Sequence, residues 1–361
     1  MGNLARACSL VALCAVVSSA GGPARAGGDA NDRVWVERFQ PAASTDIEGD
    51  PQMVPGGFTV AIASWNAITP RGSSLELTLR ARVGGRWTRW YVMGLWSSNR
   101  LAGKRRSLAG QQDTEGKVDT DTLTLRAPAD AFQIGVNLQD SADGRSPSID
   151  LLAVATSLGV PPGARADIQK FAWGTDLHVP ERTQRVPASP DAVGGGGDAW
   201  CSPASVSMVM AYWARDAAHP EWDVDVPAAA DGTYDPVYDG TGNWPFNVAF
   251  AAEHGLGGYV RQYSNLADLE QLIARAIPVI ASLSAKSGEL QGAPYDKTDG
   301  HLLVVRGFTS AGDVIVNDPY AAPGEIRRIY KRDQFAHVWL DGSGGTVYLI
   351  APPKTIWEIT N

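Results

Sequence analysis

The sequence predicts an all-β, sandwich-like domain followed by an α+β domain, and three observations carry that expectation. Residues 34–157 alternate apolar and polar with a period of two, and no helical period of useful length interrupts them. Beyond a stretch punctuated by Pro and Gly, the period becomes that of a helix. After three such helices, short apolar runs return, and helices followed by antiparallel strands make an α+β unit rather than an alternating one. The 361 residues suffice for two domains of ordinary size. The expected boundaries are a β domain at 30–160, a linker at 161–182 and the α+β domain at 183–353.

Ahead of both domains, residues 1–26 have the anatomy of a signal peptide. Arg6 lies in a short leading region, 10–17 form an apolar core, and Ala24-Arg25-Ala26 is a small-residue cleavage site. The apolar run is too short to span a bilayer and no later one replaces it, so the expectation is a secreted, extracellular protein with no integral membrane segment. Cys8 and Cys14 leave with that segment, and Cys201 is then the one cysteine of the mature chain. A formal charge of −8 argues against nucleic acid or anionic lipid as the main partner.

In the β domain the strand pattern recurs at 58–65, 77–82, 87–95, 121–126, 131–138 and 148–156, separated by Gly, Pro, Asn and Asp. Its tryptophans Trp35, Trp65, Trp87, Trp90 and Trp96 are candidates for a sugar-stacking platform. Trp87 and Trp90 are three apart and cannot share one face of a regular strand, so core filling is the expected role. Pro161-Pro162-Gly163 opens a poorly periodic stretch read as a linker plus a wrapping segment.

In the α+β domain, Val206, Val209, Met210 and Trp213 fall at i, i+3, i+4 and i+7, with Met208 and Tyr212 covering much of the remaining surface, so this helix is buried nearly all round. Pro245 suits the first turn of a second helix, ended by Gly255. A third covers 266–276 with Leu269 and Ile273 inward, and strands follow at 279–283, 302–308, 314–317 and 346–350. Asp223, Asp225, Asp231, Asp235 and Asp239 read as a solvated acidic loop without calcium-loop spacing. No His-Glu-x-x-His or paired-cysteine pattern is present, so no metal and no cofactor are expected.

The chemistry centres on Cys201. An unpaired thiol in an oxidising compartment is either buried and inert or kept for its reactivity. Cys201 opens the buried helix, whose N-terminal partial charge favours thiolate, and Pro203 is tolerated in the first turn. Four glycines upstream, Gly194 through Gly197, let the backbone pass close to a ligand. Among the five histidines, His254 reads as a partner for its helix terminus, and His178, His219 and His337 fall in loops or at element ends. His301 begins the strand "HLLVVRGF", and "DVIVNDPY" returns beside it after a five-residue turn. Antiparallel pairing places a position within 318–321 opposite His301. Asp318 falls at or near that register, while Asn317 points to the other face. A helix-mouth cysteine, then a histidine, then a carboxylate is the order of parts a thiol hydrolase needs.

The segments "GGGGDAWCSPASVSMVMAYW", "GTGNWPFNVAFAAEHGLGGYV" and "GHLLVVRGF…GDVIVNDP" together resemble the papain-like domain of cysteine peptidase family 39, in its exported actinobacterial form. The resemblance covers about half the chain. It implies a papain-like fold with Cys201 as nucleophile, His301 as general base and acid, and Asp318 as orienter. The family places an oxyanion-donating glutamine upstream of the cysteine. Here Pro190 stands at that point and Gly195 is six residues before Cys201, so Gln184, the nearest upstream glutamine, is the candidate second donor beside the Cys201 N–H. Trp200, Asn243, Trp244 and Gly300 are candidate substrate-binding residues. The leading expectation is a secreted cysteine peptidase working through a thioester on a peptide. The alternatives are a cell-wall amidase or endopeptidase on the same chemistry, with the β domain as wall anchor, and a catalytically weak peptidase-like binding protein.

Overall fold

The computed structural model describes residues 33–38, 45–100, 103–159, 169–186 and 193–360. The expected signal peptide at 1–26, with Cys8 and Cys14, lies outside the described residues, as do Pro190 and Pro161-Pro162-Gly163.

The N-terminal part is sheet-rich. Its strands are β1 (Arg33–Arg38), β2 (Asp46–Glu48), β3 (Gln52–Ile68), β4 (Ser74–Val83), β5 (Arg86–Trp87), β6 (Tyr91–Trp96), β7 (Gly116–Asp119), β8 (Thr122–Gln139) and β9 (Ser148–Ser157). Hydrogen bonding joins all nine into one antiparallel sheet, with the main path β1-β9-β3-β8-β4-β5. The alternation seen in the sequence is the core face: Leu75, Leu77, Leu79 and Ala81 of β4 are buried, with the polar residues between them turned outward. Trp65 and Trp96 are fully buried, as core filling requires. Trp87 and Trp90 instead flank the Arg80 guanidinium at 5.0 and 4.5 Å.

The C-terminal part mixes helices with a second sheet. Its helices are α1 (Cys201–Asp216), α2 (Val226–Thr233), α3 (Trp244–Glu253), α4 (Leu266–Ala274), α5 (Arg332–Ser343) and α6 (Pro353–Thr360). Its strands are β10 (Gly257–Gln262), β11 (Val279–Ala285), β12 (Thr298–Phe308), β13 (Val314–Asn317), β14 (Arg327–Tyr330) and β15 (Thr346–Ala351), ordered β10-β15-β11-β12-β13-β14. Helix α1 is buried from Ser202 to Ala214, so the expectation of burial all round holds. The acidic loop is corrected in part, because Asp225 caps α2 by accepting from Ala228 N at 2.8 Å, and Asp231 lies within that helix. His337 is also corrected: it sits within α5 and bonds Asp341 at 2.8 Å, four residues along the same helix.

The stretch ahead of the helices does wrap. Gly174 N donates to Phe308 O and Leu177 N to Arg306 O, holding 169–186 along β12. The two sheets share one apolar cluster rather than meeting through a tether. Asn66 exchanges both amide groups with the Gly258 backbone at 2.7 and 3.0 Å, and Glu253 on α3 accepts from Thr69 N and from Trp96 Nε1. Trp65, Trp96 and Phe246 form an edge-packed aromatic group between the two parts.

Candidate active site

Helix α1 positions the thiol. Trp200 is its N-cap residue, and Cys201 is the first residue within it, with an N–H that has no intrahelical acceptor. Ser205 Oγ bonds Leu302 O at 3.1 Å, and Ser202 Oγ lies 3.1 Å from Tyr348 Oη, so the first turn is pinned to β12 and β15. This brings Cys201, which is partly exposed, against His301 on the neighbouring strand.

The β12–β13 hairpin supplies the rest. Its register runs Val304↔Asn317 and, past a bulge, Gly307↔Ile315, which leaves His301 and Asp318 just beyond the last pair. His301 Nε2 lies 2.8 Å from Asp318 Oδ1, both side chains almost wholly buried. With Nε2 committed there, Nδ1 is the ring nitrogen left for the hydrogen bond to the Cys201 thiol. Asn317 takes the opposite face, where it bonds Val179 O, Pro180 O and Arg306.

Asp318 is held by more than the histidine. Tyr330 Oη donates to its Oδ2 at 2.7 Å, Tyr295 Oη to the same oxygen at 3.2 Å, and Tyr320 N to Oδ1 at 3.1 Å. Tyr295 also packs edge-on against the His301 ring, with centroids 4.8 Å apart. The sequence reading missed this tyrosine shell. Tyr330 was accessible in principle, since β14 pairs with β13, whereas nothing in "APYDKTDG" marks Tyr295.

The electrostatics follow. Burial raises the Cys201 thiol, but the hydrogen bond and charge of His301, with the N–H groups of Leu302 and Ser202, outweigh it and bring its pKa below the ordinary thiol value. Burial lowers His301, while the charge and hydrogen bond of Asp318, then the thiol, raise it to about 10. Burial raises Asp318, yet His301, Tyr330 and Tyr320 N hold it below the usual carboxylate range. All three directions favour thiolate, imidazolium and carboxylate at neutral pH. Such an arrangement can perform nucleophilic attack and pass a proton back.

The other candidates fare differently. Gln184 is brought to the site but is corrected as an oxyanion donor. Its Nε2 gives both hydrogens to the carbonyls of Gly197 (2.8 Å) and Asp198 (2.9 Å), while its buried Oε1 has no hydrogen-bond partner. Turning the amide over would set Oε1 against two carbonyl oxygens, so Gln184 braces the turn before Cys201. Gly194, Gly195 and Gly196 in that turn have φ of 55°, 83° and 67°, a left-handed path that residues with side chains rarely follow. Trp200 is corrected as a groove wall: it is 2% exposed, packs with Ala204, Val226 and Ala230, and donates to Val193 O. Asn243 is corrected likewise, since it is buried, caps α3 and bonds Asp235. Trp244 is half-buried against the core, with its N–H on Asp121 Oδ2. Gly300 is exposed beside His301, with open space where a Cβ would stand. Among the described residues no cluster of His, Cys, Asp and Glu could hold a metal ion.

A family model described as the peptidase C39 N-terminal domain matches residues 38–157, and one described as the Peptidase C39 like family matches residues 177–346. The chain belongs to the C39-like peptidase family. The first matched segment of this C39-like chain falls on the nine-stranded sheet, and the second carries Cys201, His301 and Asp318. No curated protein matches the sequence. Among solved structures, a protein described as a C39-like peptidase from Bacillus anthracis is 13% identical, with 49% of this chain and 97% of that one covered and a TM-score of 0.33. A structure of infectious bursal disease virus is 13% identical over 34% of this chain and 29% of that one, with a TM-score of 0.17. At these scores neither likeness bears on the fold.

Proposed function

We propose that this C39-like protein is a secreted cysteine peptidase with a papain-like arrangement of Cys201, His301 and Asp318. The observation that carries the reading is the Cys201 thiol set against an imidazole that lies 2.8 Å from a buried carboxylate, itself held by two tyrosines. Secretion is inferred from the signal-peptide pattern at 1–26.

In the reaction, the Cys201 Sγ lone pair attacks the peptide carbonyl carbon while His301 Nδ1 holds the former thiol proton. The carbonyl π pair moves onto oxygen, and the Cys201 N–H at the head of α1 faces that oxyanion. As the tetrahedral species collapses, the C–N bond breaks, His301 gives its proton to the departing amine, and a thioester remains. Neutral His301 then takes a proton from water, the hydroxide oxygen adds to the thioester carbon, and the C–S bond breaks to release the acid and restore the thiolate–imidazolium pair. Asp318 stays ionised throughout and holds the ring in the tautomer this requires.

The test is cleavage of a mixed peptide library, and of peptides released from purified cell wall, read by mass spectrometry. Cleavage by the wild-type chain and none by Cys201→Ala supports the reading. No cleavage by either, with unchanged ligand binding in Cys201→Ala, overturns it in favour of a binding protein on this scaffold.

A further inference from the structure

We propose that Tyr238 is a specificity-determining wall of the cleft, taking an apolar side chain of the bound peptide, and that the N-terminal β-rich part holds it there. The proposal rests on the peptidase reading of Cys201 for the identity of the ligand. Residues 234–242, between α2 and α3, pack against the segment that leads into Cys201, with Thr241 Oγ1 on Ala199 O at 3.3 Å. Gly240 abuts Gly194 in the same place.

Tyr238 is an unusual residue to find at that position. It is 49% exposed, yet its ring packs against the loop's own backbone: a Cβ on Gly240 would stand 2.5 Å from Tyr238 Cε1. Burial of the phenol, then the negative charge of Cys201, push its pKa up, so the ring stands within electrostatic reach of the thiol whose approach segment this loop packs against. An aromatic face offered to solvent beside a nucleophile is what a substrate side chain can cover, and large amphipathic rings supply much of the contact energy in such pockets. A second aromatic, Tyr320, stands edge-on to the His301 ring with centroids 6.4 Å apart, and Arg185 is stacked on it at 3.9 Å.

The loop is held from outside its own domain. Arg105, 1% exposed, donates Nε to Tyr234 O, Nη1 to Gly232 O and Nη2 to Asp231 O, closing the C-terminal end of α2. The Asp235 carboxylate accepts from Ser107 N, from Val237 N one residue before Tyr238, and from Asn243 Nδ2. Asp121 Oδ2 accepts from Trp244 N at the loop's far end. Three groups from the β-rich part therefore fix both ends and the turn of the loop. Arg105 acts through Tyr238 and is a positioning residue.

The experiment compares, on the full chain, the rate at which Cys201 is alkylated by a peptidyl vinyl sulfone carrying Leu or Gly beside the electrophile with its rate toward iodoacetamide, which needs no cleft. Tyr238→Ala is expected to lower the Leu-probe rate about tenfold, a loss of ~1.4 kcal/mol of recognition, with the iodoacetamide rate unchanged. Tyr238→Phe should keep both rates, and Arg105→Lys should lose part of the Leu-over-Gly preference. An unchanged ratio in Tyr238→Ala, or an equal fall in both rates, overturns the wall; an unchanged ratio in Arg105→Lys overturns the role of the β-rich part. The peptidase reading is judged separately by hydrolysis, because a Tyr238-dependent probe preference in a chain that cleaves no peptide would sink that reading and leave this one standing.

Discussion

His301 and Asp318 meet at 2.8 Å across the open end of the β12–β13 hairpin, and the carboxylate that closes this bond also receives two tyrosine hydroxyls and a backbone N–H. The carboxylate has no side exposed to water, so its charge is used within the site rather than screened by solvent. That is why the imidazole is raised to about 10 in spite of its burial.

Replacing Asp318 tests this coupling. Asp318→Ala should lower kcat/KM by about 10²–10⁴-fold, the range associated with losing the residue that orients a catalytic histidine. The imidazolium loses its main source of stabilisation, so the thiol pKa should rise as well. Steady-state kinetics and thiol titration of the same variant check both effects.

The dependence on pH has a definite shape. In the proposed mechanism the active pair is thiolate with imidazolium, so activity should appear as pH rises through the lowered Cys201 pKa and disappear as pH rises through the His301 value of about 10. A kcat/KM profile should therefore be a bell. Its acid limb lies below the ordinary thiol value and its alkaline limb near 10. A single rising limb at the ordinary thiol value would contradict the assignment.

Gln184 gives a discriminating result. Losing an oxyanion donor costs about 100- to 1000-fold in rate. In this structure the Gln184 amide instead braces the Gly197 and Asp198 carbonyls. Gln184→Ala is thus expected to cost about tenfold, the scale of one or two lost hydrogen bonds that hold a loop. Proteolysis at 193–200 should rise in parallel. A loss of a thousandfold with an intact loop would restore Gln184 as a donor.

Asp121 links pH to stability at the junction of the two parts. Burial dominates its shift and raises its pKa from 3.8 to about 6, with the nearby Asp235 adding to the rise. A raised folded-state pKa means stability that is fully present below the unfolded value and lost as pH rises between roughly 4 and 6. Asp121→Asn keeps an acceptor for Trp244 N without burying a charge. Its melting temperature should exceed the wild-type value at pH 8 and fall to or below it near pH 4.

The parts of this molecule legible in the sequence are those with a clean period or a paired register. The alternation along β4, the all-round apolar α1 and the nearness of His301 to Asp318 at the hairpin's open end each follow from local geometry. What escaped has a physical reason in each case. β10 begins with Gly257 and Gly258, which carry no side chains to show a strand's alternation, and α2 is short and lies inside an acidic stretch. α6 starts at Pro353, which read as an end although proline suits a helix's first position. Trp200 looked like a cleft residue because it adjoins Cys201 in sequence, and Asn243 because it stands just before a helix, but burial and capping claim them. The tyrosines around Asp318 come from three separate elements or loops, and no pattern along the chain brings them together.

The most direct measurement is the rate of Cys201 alkylation by iodoacetamide as a function of pH, in the wild-type chain and in His301→Ala. The thiolate–imidazolium account predicts fast labelling with a midpoint well below the free-thiol value of about 8.5, moving to or above that value once His301 is removed. A wild-type midpoint at or above 8.5 that His301→Ala leaves in place would contradict it.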